Sequence, residues 1–152
     1  MTSPPAVPGR VAGIDYGSVR IGIAISNPER KIASPLENYT RRGPERDAER
    51  FRQLVAEERV VLFVVGLPLH LDDRESPKSL EARAFGRWLS DATGVPVEFF
   101  DERFTSHEAE KILLSANLTR KRRKKRLDML AAQIILRGFL EERGEARQSD
   151  QG

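Results

Sequence analysis

GIDYGSVRIGIAIS, residues 13–26, is the stretch on which the reading of this chain turns. Val11 and Ile14 are apolar and β-prone, and Ile21, Ile23 and Ile25 alternate with the small residues Gly22, Ala24 and Ser26. That period of two belongs to strands packed on a face, so the segment reads as a hairpin: a buried strand ending in Asp15, a turn over residues 16–20, and a strand returning from Ile21. Gly17 allows a positive φ in the turn and leaves room for a ligand near the main chain. A carboxylate in so apolar a segment is costly to bury without a partner or a metal ion. Asp15 therefore either caps the turn through its own backbone or serves a site at the mouth of the hairpin.

The rest of the chain fits one domain built around this hairpin. A chain of 152 residues can bury roughly 68–70% of its unfolded surface. It has no cysteine, and its two histidines, His70 and His107, cannot form a zinc centre by themselves, so disulfides and cysteine-based zinc sites are excluded. Residues 1–9 and 143–152 have the composition of disordered tails, which leaves 10–142 as the folded domain. No apolar run approaches the ~20 residues of a membrane span, and no targeting segment opens the chain, which points to the cytoplasm.

Outward from the hairpin the elements follow in the order β β β α β α β α α. Residues 32–39 suit an edge or bulged strand because of Pro35. Pro44 opens a helix with Ala48, Phe51, Leu54 and Val55 on one face. Residues 60–65, VVLFVV, form an apolar run without alternation, as in a parallel strand covered on both faces, with Gly66, Leu67 and Pro68 as the loop beyond it. Leu80, Ala84, Phe85, Trp88 and Leu89 make a helical stripe stopped by Gly94, with Trp88 read as core rather than a base-stacking platform. Residues 95–100 are a further strand. Thr105 and Glu108 have the spacing of a capping box for a helix, and residues 127–140 read as a buried helix. Asp128 lies in its first turn, where the helix dipole favours an acid, and Ala131 and Ala132 allow close approach to a sheet.

Acids thus recur where strands end and helices begin, the positions at which open α/β sheets bind ligands. Asp15 ends the first strand, Asp101 and Glu102 end the last, and Asp128 starts the buried helix. Magnesium is held by carboxylates together with phosphates and water, and a metal pair stabilises both oxygens of phosphodiester cleavage. Alternation along the strand allows only one of Asp101 and Glu102 to face such a site. The net charge is +3, yet Arg120, Lys121, Arg122, Arg123, Lys124, Lys125 and Arg126 are consecutive, so the remainder is net acidic. The basicity is local, as a polyanion-binding patch requires.

GIDYGSVRIGIA, VVGLPLHLD, FFDERFTSHEAE and LDMLAAQIIL, in this order, resemble the YqgF/RuvX family of Holliday-junction-resolvase-like nucleases in the ribonuclease H-like superfamily. The resemblance implies an α/β fold with a five-stranded mixed sheet, its first three strands antiparallel, flanked by helices. It implies that Asp15, Glu102 and Asp128 are catalytic and hold Mg²⁺ or Mn²⁺, and that Gly17, Arg20, Arg103 and the basic run contact nucleic acid. It further implies a phosphodiester hydrolase acting in 5′-end maturation of the small-subunit (16S) ribosomal RNA precursor, in contact with ribosomal precursor particles, or on branched DNA. His70 and Asp73 depart from the family's usual Asn and Gly. Two other classes stay open: an RNA-binding assembly factor without catalysis, and a phosphotransfer protein, which would need a second domain of this kind.

Overall fold

The computed structural model describes residues 8–69, 74–102 and 120–150, the last with side chains over 129–144. The described residues form five strands and three helices in the order β1 (Arg10–Asp15), β2 (Arg20–Ser26), β3 (Ala33–Thr40), α1 (Pro44–Glu58), β4 (Val60–Leu67), α2 (Pro77–Thr93), β5 (Val97–Asp101) and α3 (Arg120–Asp150). Their spatial order in the sheet is β3-β2-β1-β4-β5. The hairpin β1–β2 and the pair β2–β3 are antiparallel, and β4 joins β1 and β5 in parallel. The expected five-stranded mixed sheet is therefore the observed one.

Each element follows from its residues. Pro35 sits on the edge strand and also at a bulge, since the β2–β3 register shifts between Ile23 and Ala24, opposite Glu37 and Pro35. β4 lies inside the sheet with both faces covered, and it extends through Gly66 and Leu67, which are strand and not loop. The N-terminus of α2 is closed by a capping box between Ser76 and Ser79, and Gly94 ends the helix at φ 74°. The buried side of α2 is Ala82, Phe85, Gly86 and Leu89. Leu80 (55% exposed) and Ala84 point outward, contrary to the stripe expected from hydrophobicity. Gly86 replaces them because a Cβ there would stand 2.6 Å from the Phe99 ring.

The sheet separates two apolar layers. On one side Ile14, Ile21, Ile23, Phe63 and Val65 pack with Phe51 of α1 and with Phe85 and Leu89 of α2. On the other, Val11, Ala24, Leu62, Val64 and Phe100 meet Ala132, Ile135, Leu136 and Phe139 of α3. The buried α3 is the helix expected over residues 127–140, but it begins at Arg120. Lys and Arg are good helix formers and no Gly or Pro interrupts the run, so the basic stretch continues the helix instead of preceding it. Asp128 then lies more than two turns inside, beyond reach of the terminal dipole, and that reason for an acid there falls away. α3 also continues to Asp150, through residues expected as a tail.

Asp47 of α1 is fully buried and accepts hydrogen bonds from the Tyr39 hydroxyl (2.6 Å), the Arg42 amide (2.9 Å) and Arg41 Nε (3.2 Å). Burial alone would raise its carboxyl, but these three donors hold it below its ordinary value. Tyr39 is pushed up to about 12, first by burial and then by Asp47. The signs are opposite. Asp47 stabilises the fold above its unfolded pKa and loses that contribution as acid titrates it, whereas Tyr39 contributes below pH ~10 and loses its share towards pH 12. Asp47→Asn is expected to cost roughly 2 kcal/mol at neutral pH, by urea denaturation, with the difference from wild type shrinking below pH ~4. A difference unchanged at low pH would contradict this.

Candidate active site

The parallel strands set the site. β1, β4 and β5 run in the same direction, so their C-terminal ends share one edge of the sheet. In the sheet Ile14 pairs with Val65, and Val65 with Phe99. One step further along, Asp15 comes level with Gly66, which pairs with Phe100. The two neighbouring strands are about 4.8 Å apart.

Side-chain direction follows from alternation. Gly13 faces α3, since a Cβ there would stand 2.7 Å from Leu136 Cβ and 2.8 Å from the Ala132 carbonyl oxygen. Asp15, two residues on, is on the same side. Phe100 also packs into the α3 layer, whereas Asp101 pairs with Leu67 of the opposite layer. Beyond the strand, Glu102 returns to the α3 side. A Cβ on Gly66 would overlap its carboxylate oxygen and would lie 2.5 Å from Ile135 Cδ1. The absent side chain of Gly66 is the space that Glu102 occupies, on the side of the sheet to which Asp15 also points.

α3 runs antiparallel to β1 across this layer, with Phe139 packed in the Val11 cluster and Ala132 against Gly13. Position 128 falls one helical turn before Ala132, towards the end of the sheet that carries Asp15. The Asp128 side chain lies outside the described residues, as do Arg103, His70, Asp73, His107 and the proposed capping box. The side chains of the basic run, 120–126, lie outside them too, and its backbone forms the first turns of α3. Among the described residues no three acidic or histidine side chains form a metal-holding group.

Gly17 and Arg20 occupy the hairpin turn. Gly17 is required by close approach, because a Cβ would fall on the Arg20 carbonyl; among the described glycines positive φ occurs only at Gly43 and Gly94. The positive φ expected at Gly17 is thus replaced by a tight backbone contact. Arg20 opens β2 opposite Thr40.

Burial pushes the Glu102 carboxyl above its ordinary value; Lys78 draws it partly back, and Asp101 adds to the rise. Lys78 stands in the first turn of α2, whose cap Ser76 donates from Oγ to the Pro68 carbonyl (2.9 Å) just past β4. Lys78 is not singled out by the sequence, and Gly66 is read there only as a loop residue, since an exposed lysine and a strand glycine carry no periodic signal. Two carboxylates on one side of a sheet edge, one desolvated, fit a hard divalent cation with oxygen ligands. Gly66→Ala is expected to displace Glu102 and weaken metal affinity by roughly 10–100-fold, as supporting residues of metal sites do. Mn²⁺ titration checks it, and wild-type affinity in the variant would contradict it.

Comparison with known proteins places the arrangement. Residues 9–142 match the family model RuvX, described as Holliday junction resolvase. The chain belongs to the RuvX family. A relative in Rhodopirellula baltica, named "Putative pre-16S rRNA nuclease", is 49% identical over 133 residues, covering 88% of this chain and 77% of that protein. One of the same name in Koribacter versatilis is 38% identical over 148 residues, covering 97% of both. Among solved structures, T. thermophilus RuvC in complex with a Holliday junction substrate superposes with TM-score 0.58 at 18% identity, covering 90% of this chain and 96% of that one. The yeast mitochondrial Holliday junction resolvase Ydc2 gives 0.57 at 11%, covering 95% and 83%. At these identities the structures establish the resolvase fold of the ribonuclease H-like class. As a RuvX member the chain is a nuclease, its substrates are nucleic acids, and nucleases of this fold work with divalent metal ions. Among the described residues no helix is long and apolar enough to cross a membrane.

Proposed function

We propose that this RuvX protein is a Mg²⁺- or Mn²⁺-dependent phosphodiester hydrolase that matures the 5′ end of pre-16S ribosomal RNA in the cytoplasm, on ribosomal precursor particles. The observation that carries the reading is the delivery of Asp15 and Glu102 to the α3 side of the same end of the sheet, by the register of β1, β4 and β5 and by the missing side chain of Gly66. The names of the relatives support RNA as the substrate.

In this reading Asp15, Glu102 and Asp128 hold the metal. A divalent ion supplies Lewis-acid stabilisation of the charge that builds on the scissile phosphate. The chain's own residues do the rest. Asp15 and Glu102 would fix the place of that ion at the end of the sheet, and α3 covers the Glu102 side, with Ile135 against the same Gly66 space. Arg20, Arg103 and the Arg120 to Arg126 run offset the repulsion between an acidic site and a polyanion, and Gly17 keeps the turn that carries Arg20 tight. Such cations read backbone charge, not base sequence.

The test is cleavage of end-labelled pre-16S RNA and of a four-way DNA junction, with Mg²⁺ or Mn²⁺ and with chelator. Metal-dependent cutting of the RNA is expected. Cutting of the junction alone would overturn the RNA assignment, and binding without cutting in any metal would point to an assembly factor.

A further inference from the structure

Asp15 and Tyr16 are consecutive, so they leave the sheet edge on opposite sides. Asp15 faces α3, and Tyr16 packs against the layer of α1 and α2, its ring 5.0 Å from Phe85 and tilted by 39°. Phe85 continues to Trp88 at 5.5 Å and 34°. These three rings form a sloping wall, unlike the edge-on contacts that Phe51 makes with Tyr39, Phe63, Phe85 and Trp88 deeper in the core. Arg41 lies over the wall, its Cζ 5.5 Å from the Tyr16 centroid and 5.8 Å from that of Phe85. Its Nη1 donates to the Tyr16 hydroxyl (3.2 Å) and its Nε to buried Asp47 (3.2 Å), so the guanidinium is fixed. Together with exposed Glu81 and Ala84 these residues line a cleft of about 290 Å³.

We propose that this cleft receives one unpaired base of the RNA substrate, stacked on the half-exposed Trp88 beside Tyr16 and Arg41, on the strand whose phosphate lies at Asp15 and Glu102. The inference rests on the nuclease reading for the identity of that strand. Its chemistry is specific to a base. Aromatic faces and arginine planes are what unpaired RNA bases stack on. A phosphate is disfavoured, because Asp47 already counters the Arg41 charge and Glu81 adds a negative one. The cleft, at about 290 Å³, has room for one base. Continuity with the active site is covalent: the residue after Asp15 forms the wall. Trp88, half-buried in α2, is then both a core residue and a stacking face.

Trp88 is the single tryptophan of the chain and reports directly on the cleft. The full-length protein is titrated with a short oligoadenylate RNA in chelator, where nothing is cut, following Trp88 fluorescence and the polarisation of labelled RNA. Saturable quenching is expected. Ala84→Phe fills the cleft from an exposed helix position and is expected to weaken binding by roughly 5–150-fold, the range of one lost base stack. Trp88→Phe keeps a ring and is expected to retain most of the affinity by polarisation. Absence of quenching, or wild-type affinity in Ala84→Phe, would overturn the proposal. The two readings fail separately: loss of quenching with metal-dependent cleavage intact removes only the cleft, and quenching without cleavage in any metal removes only the nuclease assignment.

Discussion

Asp15→Asn is expected to lower metal-dependent cleavage by roughly 10²–10³-fold or more while leaving the melting temperature near that of the wild type. In the proposed site Asp15 is one anionic ligand of a cation whose stabilisation of the transition state amounts to several kcal/mol, and the size follows from its loss. Retention of the fold follows from the place of Asp15 at the end of β1, where its burial is partial and its backbone pairs with Gly22 whatever the side chain. Asn keeps the shape and the ability to accept a hydrogen bond. A turn-capping role for Asp15 would give the opposite pattern, with Asn tolerated in catalysis. Cleavage rate and thermal melting measured on the same preparation separate the two.

Gly13→Val is expected to be the most damaging change to the fold, at roughly 3 kcal/mol, or about 6–12 °C in melting temperature for a chain of this size. The atoms that a Cβ meets are Leu136 Cβ at 2.7 Å and the Ala132 carbonyl at 2.8 Å, and the second is helix backbone that cannot rotate away. α3 must therefore move off the sheet, carrying position 128 with it, so activity is expected to fall along with stability. Thermal melting of the variant measures the first effect, and an unchanged midpoint would show that α3 is not held by this contact.

Much of this was legible because it is periodic. The alternation of Ile21, Ile23 and Ile25 and the unbroken run at 60–65 reported the hairpin and the central parallel strand, since burial on one face or two imposes those patterns. Small residues were silent. Gly13, Gly66 and Gly86 fix how closely α3, Glu102 and Phe99 approach their neighbours, yet a missing side chain leaves no hydrophobic signal. Leu80 misled for the converse reason, being apolar and facing solvent. The start of α3 is hidden in the sequence because seven cations in a row signal charge first, whereas their helix propensity governs the backbone. Asp101 and Glu102 could not be separated by spacing alone. The register that pairs Leu67 with Asp101 is a long-range fact, and it sends those two carboxylates to different sides of the sheet.

The most direct measurement is therefore Mn²⁺ binding by calorimetry to the wild-type protein and to Asp15→Asn, Glu102→Gln, Asp128→Asn and Asp101→Asn. Binding lost in the first three variants and kept in Asp101→Asn is the predicted result. Binding kept in Glu102→Gln, or lost in Asp101→Asn, would contradict the site on the α3 face.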